Sequence, residues 1–313
     1  MLVALVKKLA RAVGVLLIVT FVTFSLMYGN GPGIARAVLG LQATQADVQR
    51  EVVRLGLDQP LFVQYGRWLG GVLTGDLGTS FFTGQRVSDA LATRIPVTLS
   101  LVLITLVLTV ILSVLLGVTA AVYGGWVDRV VQFLAVLGAA IPSYIIAIVL
   151  IFALALTLRI FPATGYTSPD QSFVGWVSSI TLPVVALLVG SIAGAASQIR
   201  SAVADVLGRD YVRTLRARGV PEREIIFVHV LRNAGGPGLI VLGLQTIYLI
   251  GGAVVIELVF ALPGMGELTN TSAQQGDVPL VMGVVLVIVL IVLIVNLLSD
   301  LAGAALNPKA RKA

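Results

Sequence analysis

The chain has 313 residues, 58% hydrophobic and 12% charged, with a net charge of +6 and no cysteine. Soluble domains carry about 25% charged residues, so this composition excludes an ordinary water-soluble protein and points to several membrane passages. The lack of Cys excludes disulfides, thiolate metal sites and a Cys nucleophile. The positive balance needs no nucleic-acid partner, because cytoplasmic loops of membrane proteins collect Lys and Arg.

In chain order, the first apolar run covers about 9–29, after the basic start Lys7, Lys8 and Arg11. Ala35-Arg36-Ala37 resembles a signal-peptide cleavage site, but the run exceeds the about 7–15 apolar residues of a signal peptide, so a retained helix is expected. Gly29-Asn30-Gly31-Pro32-Gly33 ends it, since neither Gly nor Pro sustains a helix. Segment 30–95 is mixed and moderately amphipathic (Val48, Val52, Val53, Leu55, then Leu69, Val72, Leu73) and reads as outer helices lying on the membrane. The second span is placed at about 97–123, with Pro96 at its first turn, where a missing N–H is harmless. The third, at about 130–158, contains Pro142 in Ile141-Pro142-Ser143-Tyr144. That proline removes a backbone hydrogen bond, so the helix is expected to kink and to pack inside a bundle. The fourth covers about 177–198.

Then comes a charged island at 199–237. Ile199, Val203, Val206, Leu207, Tyr211 and Leu215 recur at helical spacing, and Arg200, Arg209, Asp210, Arg213 and Arg216 occupy the other face. Gly219 is placed to end that helix, and Pro221-Glu222 to start another, with an acid at its positive end. The expectation is a helix–turn–helix across the inner membrane face, acting as a docking element; the bland alternative is a connecting loop that only enforces orientation. His229 falls in the amphipathic stretch 225–231; with no second His in the chain, metal ligation is not expected and a packed or interfacial role is.

The fifth span covers about 239–259 and ends a charge-free stretch, 233–256, at Glu257. An ionisable group at membrane depth is costly and often functional, so Glu257 is read either as a gate or as a carboxylate at the outer mouth that reaches water. The sixth span covers about 280–298, with Asn296 and Asp300 one turn apart near its inner end. Gln198, Gln245 and Thr246 either line a path or bond neighbouring helices. Each run has the roughly 20 apolar residues a crossing helix needs, and none alternates with period two, which excludes a β-barrel. The expected fold is therefore an all-α membrane protein with six transmembrane helices in one domain over 1–313.

Orientation follows from the basic residues. With both termini inside, the inner segments hold Lys7, Lys8, Arg11, Arg129, the seven Arg of 200–232, and Lys309, Arg311 and Lys312. The short outer loops hold only Arg159; the long 30–95 segment carries six Arg, but long loops cross largely regardless of charge. The 199–237 island is then cytoplasmic.

Asp210-Tyr211-Val212-Arg213-Thr214-Leu215-Arg216-Ala217-Arg218-Gly219, followed by His229-Val230-Leu231-Arg232-Asn233, resembles the coupling loop of ABC-importer permeases. The branch it resembles is the dipeptide/oligopeptide/nickel family, B-type subunit. Leu55–Leu61, Gln64-Tyr65, Gly75-Asp76-Leu77-Gly78-Thr79-Ser80, Ile141–Tyr144, Phe161–Gly165, Gly251–Glu257, Phe260–Gly264 and Asn296–Asp300 fit the same branch, so the resemblance covers roughly 1–310. Three departures stand out. Arg213-Thr214-Leu215 replaces the Glu-Ala-Ala of the wider family, Gly235-Gly236 replaces bulkier apolar residues, and a Gly-Asn-Gly-Pro turn replaces an acidic one after the first span.

The resemblance implies a type I importer permease whose 210–219 helix sits in a groove of an ATPase. It implies a second homologous permease, two cytoplasmic ATP-binding subunits and an extracytoplasmic substrate-binding protein, and it places this chain in the plasma membrane with lipid around its spans. It also implies a peptide substrate, with nickel or another small solute as the alternative, and Glu257, Gln198, Gln245, Asn296 and Pro142 as path or gate candidates. No cofactor is expected on this chain, and ATP and Mg are expected in partner subunits. Independently, none of the four Lys ends a Gly-Lys-Ser/Thr phosphate loop, so any ATP drive must come from another subunit. The competing class is a secondary transporter, which usually shows inverted repeats; no internal repeat is visible. A channel would need a filter loop or charged ring, and none is apparent.

Overall fold

The computed structural model describes residues 2–40 and 42–306, except the side chains of 2–5, 235–242, 300 and 302–306. The expectations placed on Gly235-Gly236, on the Asp300 side chain, and on Lys309, Arg311 and Lys312 lie outside the described residues. Among those described, the regular elements are helices, with one isolated bridge between Thr79 and Arg86. They are α1 (Leu2–Met27), α2 (Gly31–Leu39), α3 (Gln45–Leu55), α4 (Leu61–Thr74), α5 (Val87–Tyr123), α6 (Gly125–Ala140), α7 (Ser143–Leu150, continued by a π-helical stretch Ile151–Thr157), α8 (Phe173–Leu207), α9 (Asp210–Ala217), α10 (Glu222–Glu224), α11 (Leu231–Phe260), α12 (Met265–Gln275) and α13 (Val278–Leu306). Five helices are long and apolar enough to cross a membrane, and the bent pair α6 and α7 makes a sixth if it counts as one span.

Several boundaries differ from the sequence reading, for identifiable reasons. Helix α5 has 37 residues, about 55 Å at 1.5 Å per residue. It begins at Val87, so Pro96 lies inside it rather than at its first turn. The added turns exist because Val87, Ala90 and Leu91 bury one face against Met265, Leu280 and Val284. The third span is not merely kinked. Helices α6 and α7 meet at 92°, because Pro disfavours the helical region for the residue before it, and Ile141 is extended at φ −95°, ψ 118°. Pro142 then becomes the N-cap of α7 and is itself exposed, while α7 packs on α8 and α11, as expected of a helix within the bundle. Segment 30–95 holds α2, α3 and α4, and α12 is an extra helix between the last two apolar runs.

The chain divides into two compact units, Met1–Val97 with Pro263–Leu293, and Thr98–Leu262 with Ile294–Ala313. In the first, Thr44 caps α3 through a reciprocal capping box with Asp47, and Ala35 of α2 packs on Val48 and Val52 of α3. Tyr65 of α4 meets α1 through a 2.9 Å bond to Thr20 Oγ1 and edge contacts with Phe21 and Phe24. Two polar joints close this unit. Ser80 Oγ donates to the buried Asp277 carboxylate at 2.5 Å, and the Phe81 N–H donates to its other oxygen at 3.3 Å. Arg94 pairs with Glu267 at 2.8 Å.

In the second unit α11, α6 and α7 pack on α8. Close approach depends on small residues, as is usual between membrane helices. A Cβ at Gly117 of α5 would stand 2.8 Å from the Ala196 carbonyl of α8, so no larger residue fits there without separating the two helices. Asp128 of α6 accepts a two-point bond from Arg200 of α8, with Nε to Oδ1 at 2.9 Å. One turn further along α6 and one turn back along α8, Ser197 donates to Gln132 at 3.2 Å.

Asp277→Ala removes the acceptor used by one buried donor, Ser80, and one partly buried donor, the Phe81 N–H. Leaving such groups unsatisfied costs about 1–3 kcal/mol, so the thermal-unfolding midpoint of detergent-purified protein should fall. Asp277→Asn, which keeps one oxygen, should fall less. Unchanged midpoints in both would mean that the joint adds no stability.

Candidate functional site

The charged island folds into a short helix held at the ends of two long ones. Helix α8 stops at Leu207, Gly208 caps it, and Arg209 is extended at φ −73°, ψ 147°. Helix α9 then runs only from Asp210 to Ala217, with Asp210 in its first turn and Arg216 in its last, both favourable to the helix dipole. Gly219 closes it at φ +77°, a conformation natural only to glycine. There the Val220 N–H reaches back to the Leu215 carbonyl at 3.2 Å.

Eight residues are too few for a helix to persist alone in water, so α9 depends on its inner face. Val212 is fully buried, against Val203 and Val206 of α8, Ile225 and Val230, and Ala234 of α11; Tyr211 and Leu215 flank it. Burying one valine of this kind contributes about 1.5–3 kcal/mol. Two polar ties add direction. Asn233 Nδ2 donates to Tyr211 Oη at 3.2 Å and to the His229 carbonyl at 2.7 Å. Arg216 spans the Gly219–Pro221 turn with Nε to Glu222 Oε2 at 3.0 Å and Nη2 to Oε1 at 2.5 Å. That paired bond holds the Glu222 carboxyl below its ordinary pKa and raises that of the Arg216 guanidinium. Outward, Arg209, Asp210, Arg213, Thr214, Ala217, Arg218 and Arg223 are exposed, giving a predominantly basic surface.

The sequence reading of this island needs two corrections. It took 199–218 as one helix; the break at Gly208–Arg209 resets the helical phase, which is why Val212, absent from the periodic series, is the residue that turns fully inward. It also took the stretch after Pro221 as a separate helix. That stretch runs through α10 and a π-helical segment, Ile225–Val230, directly into α11. The salient missed residues are Asn233 as a tie to Tyr211, and Asp128 as the partner of Arg200. The charges at 128 and 200 were visible in sequence at the ends of apolar runs, but nothing in one dimension pairs them.

The remaining candidates do not gather in one place. Gln245 is buried on α11 and donates to the Ser191 carbonyl of α8 at 2.7 Å. Gln198 and Pro142 are exposed. Asn296 is exposed beside Gly243, its Oδ1 3.2 Å from where a Cβ there would stand. Glu257 does not reach water: it is 0% exposed and accepts a 2.5 Å bond from Thr98 Oγ1 of α5. Twelve residues separate Gln245 from Glu257, about 18 Å along α11.

Long apolar helices carrying a charged knuckle at the ends of two of them define a multi-pass membrane protein. The chain belongs to the family of binding-protein-dependent transport system inner membrane components, which residues 113–312 match. Residues 1–102 match the N-terminal part described for membrane components of the same systems. It is similar to a putative peptide transport system permease protein of Brucella abortus (strain 2308), 38% identical over 308 residues, 98% of each chain. It is similar to the oligopeptide transport system permease protein AppB of Bacillus subtilis (strain 168), 32% identical over 97% of this chain and 98% of that one. It is also similar to the glutathione transport system permease protein GsiC of Salmonella paratyphi A, 35% identical over 97% of each. The chain is thus a permease subunit of an ABC importer in the inner membrane, not an enzyme. Membership of an ABC transport system brings ATPase and binding-protein components with it.

The Arg216–Glu222 pair has a definite pH signature. Glu222 has a lowered folded pKa, so its contribution is complete above its ordinary value of 4.5 and is lost as pH falls through the folded value. Both side chains are nearly half exposed, so the contribution is below about 1 kcal/mol. Amide exchange at 215–224, corrected for intrinsic rates, should quicken on acidification in the native protein and change little in Glu222→Gln.

Proposed function

We propose that the chain forms half of the translocation path of a peptide importer and receives its drive at α9. The reading has six spans with both termini inside, α6 and α7 serving together as one broken span, in a type I permease arrangement. A second homologous permease encloses the path, two ATP-binding subunits carrying ATP and Mg sit on the inner face, and an extracytoplasmic binding protein delivers substrate. The peptide assignment comes from the relatives, whose names specify peptide, oligopeptide and glutathione transport.

The observation that carries the coupling role is mechanical. Helix α9 offers the exposed residues Asp210, Arg213, Thr214, Ala217, Arg218 and Gly219 outward while Tyr211, Val212 and Leu215 hold it to the helix ends, and Arg216 fixes the following turn. A push on α9 therefore reaches α8 and α11 without first being absorbed by a loose loop. At the far end of α11, the Thr98–Glu257 bond ties that helix to α5. We read this bond as a latch whose release accompanies opening of the path.

Two tests follow. In the reconstituted importer, Arg213→Glu reverses an exposed charge without touching the Arg216–Glu222 pair, and Gly219→Pro imposes φ near −65° where +77° is needed. Each should lower peptide taken up per ATP hydrolysed by at least about tenfold, the range of a 1–3 kcal/mol coupling, while the subunits still co-purify. Normal uptake per ATP in both would remove the coupling role. Glu257→Gln should change uptake about fivefold or more and leave assembly intact; unchanged transport would remove the latch.

A further inference from the structure

The first unit contains an open groove of about 250 Å³, bordered by the turn after α3, one face of α4, the 76–81 loop and the start of α13. Its walls are apolar, with Leu57, Trp68, Phe81 and Pro279 among them, but two opposite charges also line it, Arg67 and Asp76. Among the described residues Arg67 has no ion-pair partner. Its guanidinium lies over Gly56, with Nη1 2.9 Å from where a Cβ there would stand. Asp76 uses Oδ1 to accept the Gly78 N–H at 2.9 Å, which leaves its second oxygen available. The backbone N–H of Asp76 bonds the Gly71 carbonyl at 2.9 Å. Arg67 stands on α4 and Asp76 in the loop after it, and both border the same groove. They do not neutralise one another, because no ion pair joins them within the described residues.

An unpaired guanidinium and a free carboxylate oxygen that line one groove together with Trp68 and Phe81 fit a small zwitterion with an apolar side chain. Arg67 presents a planar fork suited to a carboxylate, Asp76 accepts from an ammonium, and Trp68 and Phe81 offer apolar surface. We propose that this groove is a binding subsite for short peptides, held by both termini, on the part of the chain read as extracytoplasmic. The proposal rests on the peptide reading given above and adds a site outside the path. It gives the permease its own hold on substrate, independent of the binding protein.

The test uses the assembled importer in lipid nanodiscs without the binding protein, and the dipeptide Ala-Phe with its N-acetyl and C-amide derivatives as probes. Ala-Phe should bind saturably, and Arg67→Gln and Asp76→Asn should each weaken it at least about tenfold. Asp76→Asn retains Oδ1 for the Gly78 N–H, so the turn is preserved. The C-amide should already bind weakly and lose nothing more in Arg67→Gln; the N-acetyl form should behave likewise in Asp76→Asn. Basal ATPase activity and helical content should match those of the unaltered importer. Affinity for Ala-Phe that is absent, or equal in all three proteins, overturns the subsite. ATP-driven Ala-Phe uptake with the binding protein present, measured alongside, separates the two readings. Uptake without groove binding removes only the subsite, whereas groove binding without uptake of any peptide removes the peptide-importer reading.

Discussion

A backbone crossing lipid must satisfy its own hydrogen bonds, and this constraint governs the rest of the structure. Within the apolar runs the chain stays helical, and it changes direction only where a side chain or a special residue takes over the freed backbone groups. At Ile141–Pro142 the proline supplies no N–H, and its carbonyl starts α7 by accepting from Ile145 at 3.0 Å. At the end of α11, Ala261 adopts φ +51° and the Leu262 N–H returns to the Glu257 carbonyl at 2.9 Å. Beside it the Phe260 carbonyl accepts the Gly165 N–H at 2.9 Å. Each turn is thus a fixed joint, and the segments between joints are stiff.

Helix α11 is the continuous stiff element between the charged knuckle at α9 and the buried carboxylate. The path from Pro221 to Phe260 has no non-helical break, but it contains the π-helical segment Ile225–Val230. Such segments are rare and recur at functional positions, because the extra residue in the turn alters which side chains face the core. Here that segment brings Ile225, Ile226 and Val230 inward beneath α9 while Phe227 and Val228 remain exposed. Gln245, midway along α11, and Glu257, near its end, tie the same helix to α8 and α5 respectively. In the proposed coupling, a displacement of α9 would therefore meet polar cross-links at two further levels along α11.

How much of this the sequence discloses depends on the range of the physics involved. Apolar runs, the charged island and the Gly219–Pro221 stop are local signals, and the family resemblance added the ABC-importer reading that the comparisons bear out. The break at Ile141–Pro142 was visible as a proline, but its full extent was not, because a kink and a 92° bend share the same residue. The start of α5 at Val87 was missed because its first turns are buried by residues near 265–284, far away in sequence. Glu257 shows the same limit: a carboxylate after an apolar run reads equally well as exposed or buried until Thr98, 159 positions earlier, is placed beside it. The Ser80–Asp277 and Asp128–Arg200 joints are long-range pairs of the same kind.

The two faces of α9 differ in what they demand energetically. The inner face is paired off within the chain: Val212 is buried, Tyr211 is tied to Asn233, and Arg216 is spent on Glu222. The outer face keeps its charges hydrated, with the Arg213 side chain 74% exposed and Asp210 98% exposed, and their 3.7 Å separation on one turn makes a weak surface pair. Exposed charges of that kind contribute little to folding, and they influence a partner mainly through encounter rate and choice of partner. Under the proposed coupling role, their sign can be tuned to a partner surface without disturbing the apolar and hydrogen-bonded ties that hold α9 to the chain. This division also explains how Arg213-Thr214-Leu215 can occupy the place of an acidic, alanine-rich start. Arg213 and Thr214 are exposed, where folding sets no requirement, and only Leu215 must remain apolar to keep the helix seated.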